Sequence, residues 1–156
     1  MGIIINRLRI EEFNLVKNKL IDLQHENVQL SFPDKKVNPD YVNQRIDSIY
    51  TFIKEDKAIV FIAKDEDTVI GFIWCYPRVF YDEHRIFINS LIVSKEYRSK
   101  NVGKDLVESV ECYTRDSGYA AIDVSAAAFN TGALRFYRNN GFIDERVQLV
   151  KPIGDI

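Results

Sequence analysis

Asn130-Thr131-Gly132-Ala133-Leu134-Arg135-Phe136-Tyr137-Arg138-Asn139-Asn140-Gly141-Phe142 sets an amide, a small residue, a phenol and a Gly-Phe stop at fixed helical offsets. Asn130 has the short polar side chain of an N-cap, able to accept from backbone N–H groups that otherwise lack partners. Ala133 and Tyr137 lie four residues apart, on one helix face. Asn139, Asn140 and Gly141 tolerate positive φ and end the helix. Phe142 then opens another apolar run. The same stretch also fits a plain capped helix with a core tyrosine, so its meaning depends on what surrounds it.

Working outward, residues 120–125 form a short predicted strand before this helix, and residues 142–150 a final strand after it. Upstream, residues 103–118 carry a helical stripe of Leu106, Val107, Val110 and Tyr113, ending near Gly118. Residues 58–64, 69–76 and 86–93 are β-rich. The first two are joined by the polar hairpin connection 65–68, and Pro77 with the polar group 81–85 separates the second from the third. Nearer the N-terminus, 3–8 reads as a strand and 11–25 as a helix, with His25 and Glu26 at its end. A loop with two prolines spans 26–39, and Asp40 caps a second helix over 41–54 with Val42, Ile46, Ile49 and Ile53 on one face. The order β-α-α-β-β-β-α-β-α-β describes an α/β (α+β) chain, one mixed sheet flanked by helices.

Composition bounds the rest. A chain of 156 residues suits a single domain, here expected over 1–156. No apolar run approaches the roughly 18 residues of a membrane span, and the N-terminus has no secretory pattern, which points to a soluble cytoplasmic protein. Gly2 lacks the Ser or Thr at position six that myristoylation prefers. Cys75 and Cys112 have neither disulfide-framework nor zinc-site spacing, so no metal is expected. A net charge of −2 gives no general footprint for nucleic acid.

The local exception is residues 94–104, Ser-Lys-Glu-Tyr-Arg-Ser-Lys-Asn-Val-Gly-Lys, with Lys95, Arg98, Lys100 and Lys104 against Glu96. Cations at the start of a helix oppose its dipole unless an anion intervenes. Free N–H groups, Gly103 and flanking cations together describe a phosphate site. Neither Gly-x-x-x-x-Gly-Lys-Ser/Thr nor Gly-x-Gly-x-x-Gly occurs.

This segment resembles the acyl-CoA loop of the GNAT N-acetyltransferase superfamily, in which a strand runs into Arg/Gln-x-x-Gly-x-Gly/Ala and then a helix. Arg98-Ser99-Lys100-Asn101-Val102-Gly103 stands in those places. Asn101 replaces the first glycine, and Asn enters the left-handed region more readily than other non-glycine residues. The opening stretch is similar to that family's last block, Asn-x-x-Ala-x-x-x-Tyr-x-x-x-Gly-Phe, with Asn130, Ala133, Tyr137, Gly141 and Phe142 in every slot. The resemblance covers nearly the whole chain.

The resemblance implies a mostly antiparallel twisted sheet of six to seven strands flanked by about four helices. It also implies acetyl-CoA as cosubstrate, without a metal, and acetyl transfer to a primary amine of a small molecule or peptide by direct attack in a ternary complex. The backbone of Leu91, Ile92 and Val93 would pair with the pantetheine arm as an added strand. Backbone N–H groups of Arg98, Ser99, Lys100, Asn101, Val102, Gly103 and Lys104 would hold the pyrophosphate. The Leu91 amide would stabilise the developing oxyanion. Asn130 would contact the CoA arm or order its helix, and Tyr137 would protonate the departing thiolate.

No acid stands on the strand 86–91, which leaves Glu83, His84 or a water chain as base. The same lack, with Asn101, motivates an alternative reading as an acyl-CoA sensor without turnover. Cys75, beside Trp74 in an apolar strand, reads as packing rather than as a covalent nucleophile, and Trp74 and Tyr76 as sheet-filling aromatics. The family sets the acceptor by the loop between the first two helices and by late loops, here 28–39, 81–85 and 126–129. Phe32 and Tyr81 are candidate walls, with Asp34, Asp82 and Glu83 as candidate anions. No nucleic-acid or membrane partner is expected, and relatives commonly form homodimers.

Overall fold

The computed structural model describes residues 2–154 in two compact units, one up to Ser125 and one from Ala126 on. Residues 1, 155 and 156, the ends of the expected 1–156 domain, lie outside the described residues.

The first unit is built on β1 (Ile3–Arg7), β2 (Ile59–Asp65), β3 (Thr68–Phe80), β4 (Glu83–Val93) and β5 (Ala121–Val124), in the spatial order β1-β2-β3-β4-β5. The first four pair antiparallel and β5 pairs parallel to β4. A parallel neighbour requires a crossover, and α3 (Val102–Asp116) supplies it. α1 (Phe13–Ser31) and α2 (Pro39–Lys54) share one buried cluster with the sheet, in which Phe13, Leu20, Leu23, Ile46 and Ile49 meet Val60, Ile62, Phe72, Trp74 and Ile92. α3 packs across the strands, burying Val102, Leu106, Val107 and Val110.

Several boundaries differ from the sequence expectation, each for a local reason. α1 runs through Ser31 rather than ending at 25, because 26–31 holds neither Gly nor Pro. It stops at Phe32 (φ −135°, ψ 70°), where Pro33 disfavours helical backbone in the residue before it. The irregular connection therefore shrinks to 32–38, and His25 and Glu26 lie inside the helix. α2 starts one residue earlier than its expected cap. Asn38 is the N-cap, its Oδ1 accepting from the Asp40 N–H at 2.9 Å, and Pro39 occupies the first turn, where a missing N–H costs nothing.

β3 runs past Pro77 to Phe80, and the turn closes on Tyr81 and Asp82, both at positive φ (47° and 65°) as a tight hairpin requires. The ladder between β2 and β3 ends at Cys75, so beyond it β3 has no β2 neighbour and a proline is tolerated. Glu83 and His84 consequently belong to β4 rather than to a solvated loop.

Among the described residues the sheet has five strands, not six to seven. Residues 142–150, expected as a final strand, carry no regular structure among the described residues. A strand needs a hydrogen-bonded neighbour, and the second unit's regular element is the single helix α4 (Thr131–Asn139), which offers none.

At Gly71, β3 lies close against both β4 and α3. A Cβ there would stand 3.0 Å from the Ile92 carbonyl oxygen and 3.5 Å from Leu106 Cδ1. Gly71→Ala should therefore cost about 1–3 kcal/mol through overpacking, read as a lower urea midpoint at unchanged m-value; an unchanged midpoint would show that the β3–β4 contact can yield freely.

Candidate active site

The site in the first unit begins with a one-residue fault in β4. Trp74 pairs with Ser90 but Cys75 pairs with Ile88, so Asn89 is an extra residue in the ladder. A bulge of this kind bends its strand and re-aims its backbone. β5 pairs with β4 over Arg85–Ile88 and no further. From Asn89 to Val93, β4 keeps β3 on one side and has no strand neighbour on the other within this unit. Leu91, Ile92 and Val93 lie on that half-paired stretch.

The chain then turns through a 3₁₀ segment, Lys95–Tyr97, and Asn101 takes the left-handed conformation (φ 63°, ψ 16°) immediately before α3. This is the backbone geometry the Asn-for-Gly replacement needed. Asn101 makes no side-chain cap, and the Asp105 N–H bonds the Asn101 carbonyl at 3.0 Å. The N–H groups of Val102, Gly103 and Lys104 therefore have no intrahelical acceptor. With the helix dipole behind them, they form a cradle for an anion.

The cations of this loop divide into two kinds. Arg98 is a strut: its Nε donates to the Val93 carbonyl at 3.2 Å and its guanidinium ion-pairs with Glu26 on α1. Glu26 thus has a structural partner. Lys100 rests over the Tyr97 ring with Nζ at 5.0 Å, and the Tyr97 hydroxyl donates to Asp65 at 2.6 Å, a bond that raises the phenol above its ordinary pKa. Glu96 is held below the usual carboxylate range by a backbone hydrogen bond and by the Ser94 hydroxyl. Lys100 and Lys104 are exposed beside the cradle.

A cleft of about 690 Å³ opens beside the bulge, lined chiefly by Tyr41, Arg45 and Phe52 of α2, Trp74 and Tyr76 of β3, and Asn89 of β4. Arg45 reaches across it. One terminal nitrogen donates to Asn89 Oδ1 at 3.0 Å and to the Asn89 carbonyl at 3.4 Å, the other to the Tyr41 hydroxyl at 3.3 Å, and the guanidinium lies 5.6 Å from the Trp74 ring centre. Of the loops of this unit expected to frame the acceptor, neither 28–39 nor 81–85 lines this cleft; the outer face of α2 does. The signal was present in the sequence: Tyr41, Arg45, Ser48 and Phe52 repeat at helical spacing, beside the apolar stripe of Val42, Ile46 and Ile49. Trp74 and Tyr76 also face the cleft, beyond filling the sheet.

Glu83 and His84 stand at the other end of β4, paired with Phe80 and Val79. Glu83 accepts from Arg85 Nε at 2.6 Å, and the His84 carbonyl accepts from the Ala120 N–H at 2.9 Å. Asn89 lies six residues from Glu83, about 20 Å along a strand. The structure does not bring these two residues to the bulge. Cys75 is fully buried, and burial pushes its thiol far above the ordinary range.

In the second unit, Asn130 Oδ1 accepts from the Ala133 N–H at 3.2 Å, the N-cap its position predicts. Gly141 (φ 91°) ends α4, and the Phe142 N–H returns to the Tyr137 carbonyl at 3.1 Å. Tyr137 packs edge-on between Phe136 and Phe142, ring centres 5.3 and 5.2 Å away. Arg138 and Asp144 form a two-bond ion pair at 2.8 and 2.9 Å that fixes the turn after the helix. No group of metal-ligating side chains occurs among the described residues, and no described helix is long and apolar enough to cross a membrane.

Known proteins share both the sequence pattern and the fold. Human N-acetyltransferase 8 is 26% identical over 120 residues, 72% of this chain and 53% of that protein. Tyramine N-feruloyltransferase 4/11 of Nicotiana tabacum is 28% identical over 102 residues, 65% of this chain and 43% of that protein. The chain spans about half the length of the curated relatives it matches. Among solved structures, the aminoglycoside acetyltransferase meta-AAC0020 from an uncultured soil metagenomic sample, in complex with trehalose, matches with a TM-score of 0.73 at 18% identity, over 97% of this chain and 96% of that one. The model of the acetyltransferase (GNAT) family matches residues 21–142, well over half of the sequence, and the chain belongs to that family.

Proposed function

We propose that the chain is one N-acetyltransferase domain that transfers an acetyl group from acetyl-CoA to a primary amine, on a small molecule or a peptide, by direct attack within a ternary complex. The observation that carries this reading is the run from a bulged, half-paired strand into an uncapped helix. It offers backbone groups for an extended arm and free N–H groups for a pyrophosphate on one continuous segment. The family match runs across both compact units, which supports a single functional domain.

In this reading Leu91, Ile92 and Val93 pair with the pantetheine arm. The amides from Arg98 to Lys104 hold the pyrophosphate, with Lys100 and Lys104 adding charge and Arg98 bracing the loop. Acetyl-CoA supplies an activated acyl group, and the Leu91 N–H stabilises the oxygen on which charge develops. The relatives' names describe acyl transfer to amines, which agrees with an amine acceptor in the cleft beside Asn89. The ammonium must lose a proton before attack. Glu83 or His84 would act only through a water chain about 20 Å long, so water in the cleft is the nearer acceptor.

Tyr137 is the general acid. A thiol has a pKa of about 8.5 and a phenol about 10, so donation to the thiolate is mildly uphill and needs tuning. Asn130 caps the helix that carries this tyrosine. Cys75 takes no part, because a thiol held protonated in the core is neither nucleophilic nor reachable. The free cysteines suit the reducing cytoplasm.

Tyr137→Phe should lower kcat roughly tenfold or more while leaving acetyl-CoA affinity intact, followed by thiol release over a panel of amines. Unchanged turnover would assign Tyr137 to packing alone, and tight acetyl-CoA binding without thiol release from any amine would favour the sensor. Iodoacetamide at pH 8 should label exposed Cys112 and spare Cys75, read by peptide mass spectrometry. The folded state keeps the Cys75 proton that the unfolded chain loses above about pH 8.5, so this residue's contribution to stability falls as pH rises past that value. Rapid modification of Cys75 would reopen a covalent route.

A further inference from the structure

We propose that the cleft beside the bulge takes an amine that also carries a carboxylate, held by Arg45, with an apolar or aromatic body against Phe52, Trp74 and Tyr76. The inference deepens the acetyl-transfer reading and rests on it for the identity of the cleft as the acceptor site.

Arg45 is half-buried in a wall it shares with the aromatic side chains of Tyr41, Phe52, Trp74 and Tyr76. Its polar partners are the Tyr41 hydroxyl, the Asn89 side-chain oxygen and the Asn89 carbonyl, all neutral. No carboxylate of the described residues pairs with it. Other arginines withdrawn from solvent have a carboxylate, Arg78 and Arg85 sharing Asp123, whereas Arg7, Arg115 and Arg135, which pair with none, are exposed. A guanidinium withdrawn from bulk water without a counter-ion is costly, and its planar fork matches a carboxylate with two parallel bonds.

The location of the charge narrows the ligand further. The guanidinium touches Asn89, two residues before Leu91, so a carboxylate bound there lies close to the position where the amine attacks. That suits amine and carboxylate separated by very few bonds, as in an α-amino acid. The cleft's own carboxylate, Asp56, stands past the end of α2 at Lys54 and does not pair with Arg45. Lys57 is already paired with Glu55 at 3.2 Å.

The test uses phenylalanine, tyrosine and tryptophan beside their decarboxylated amines, phenethylamine, tyramine and tryptamine. Thiol release gives kcat/KM for each, and calorimetry gives binding without turnover. Wild-type protein should prefer at least one amino acid over its decarboxylated partner by roughly 30-fold, and Arg45→Gln should erase that preference while changing the decarboxylated amines less than about threefold. Arg45→Lys, which keeps the charge and loses the fork, should retain part of the preference; a melting curve for each variant checks folding. Equal use or binding of both members of every pair by wild-type protein, or equal losses on both in Arg45→Gln, would overturn the proposal. Arg45-dependent binding of the amino acids without thiol release would sustain it and remove the acetyl-transfer reading instead. Thiol release that ignores the carboxylate would do the reverse.

Discussion

The single extra residue at Asn89 is the constraint on which the site's geometry hangs. A regular β4 would hold β3 in unbroken register and present its side chains in strict alternation. One residue out of register bends the strand where its parallel partner β5 stops. The result is a strand whose first half belongs to the sheet on both sides and whose second half has backbone groups to spare. Everything placed nearby uses that break: Arg45 binds the bulged residue itself, Leu91 to Val93 follow it, and α3 begins where the strand's direction delivers the chain. The surrounding sheet is tightly packed, with Gly71 leaving no room for a side chain against Ile92, so the fault sits in a rigid frame.

Charge in this unit is handled by the same economy of position. Arg98 joins the end of β4 to α1 through the Val93 carbonyl and Glu26, which fixes the loop without spending the helix N-terminus. The amides of Val102, Gly103 and Lys104 have no intrahelical acceptor, and Asn101, in a left-handed turn, makes no side-chain cap to them. At the other end of the strand, Arg78 and Arg85 converge on Asp123 and stack on Phe87 and Phe80. That network ties β3, β4 and β5 together where they still pair, and leaves their divergence to begin beyond Ile88.

Much of this was legible in the residues, and the failures have physical causes. Asn101 could be read as a left-handed turn because few side chains tolerate that backbone, and Asn130 as a cap because its amide has one obvious use there. Prolines misled in two directions. Pro33 suggests a long loop although it only terminates a helix, and Pro77 suggests a strand end although the neighbouring strand has already stopped. Residues 142–150 show why an apolar run alone is insufficient: it describes a segment that could pair, while pairing needs a neighbour that a linear pattern does not reveal. The cleft is hidden in the sequence for a related reason, since the polar and aromatic stripe on α2 looks like a solvated face until the opposing strand is known.

That helix carries two independent messages on one cylinder. Val42, Ile46 and Ile49 are committed to the interior, while Tyr41, Gln44, Arg45, Ser48 and Phe52 border the cleft and are all at least partly accessible. Substitutions in the second set do not create cavities in the core, so they escape the stability penalty that constrains most interior changes. A lineage can therefore reshape the cleft by drift along one helical edge, while the scaffold stays under separate selection.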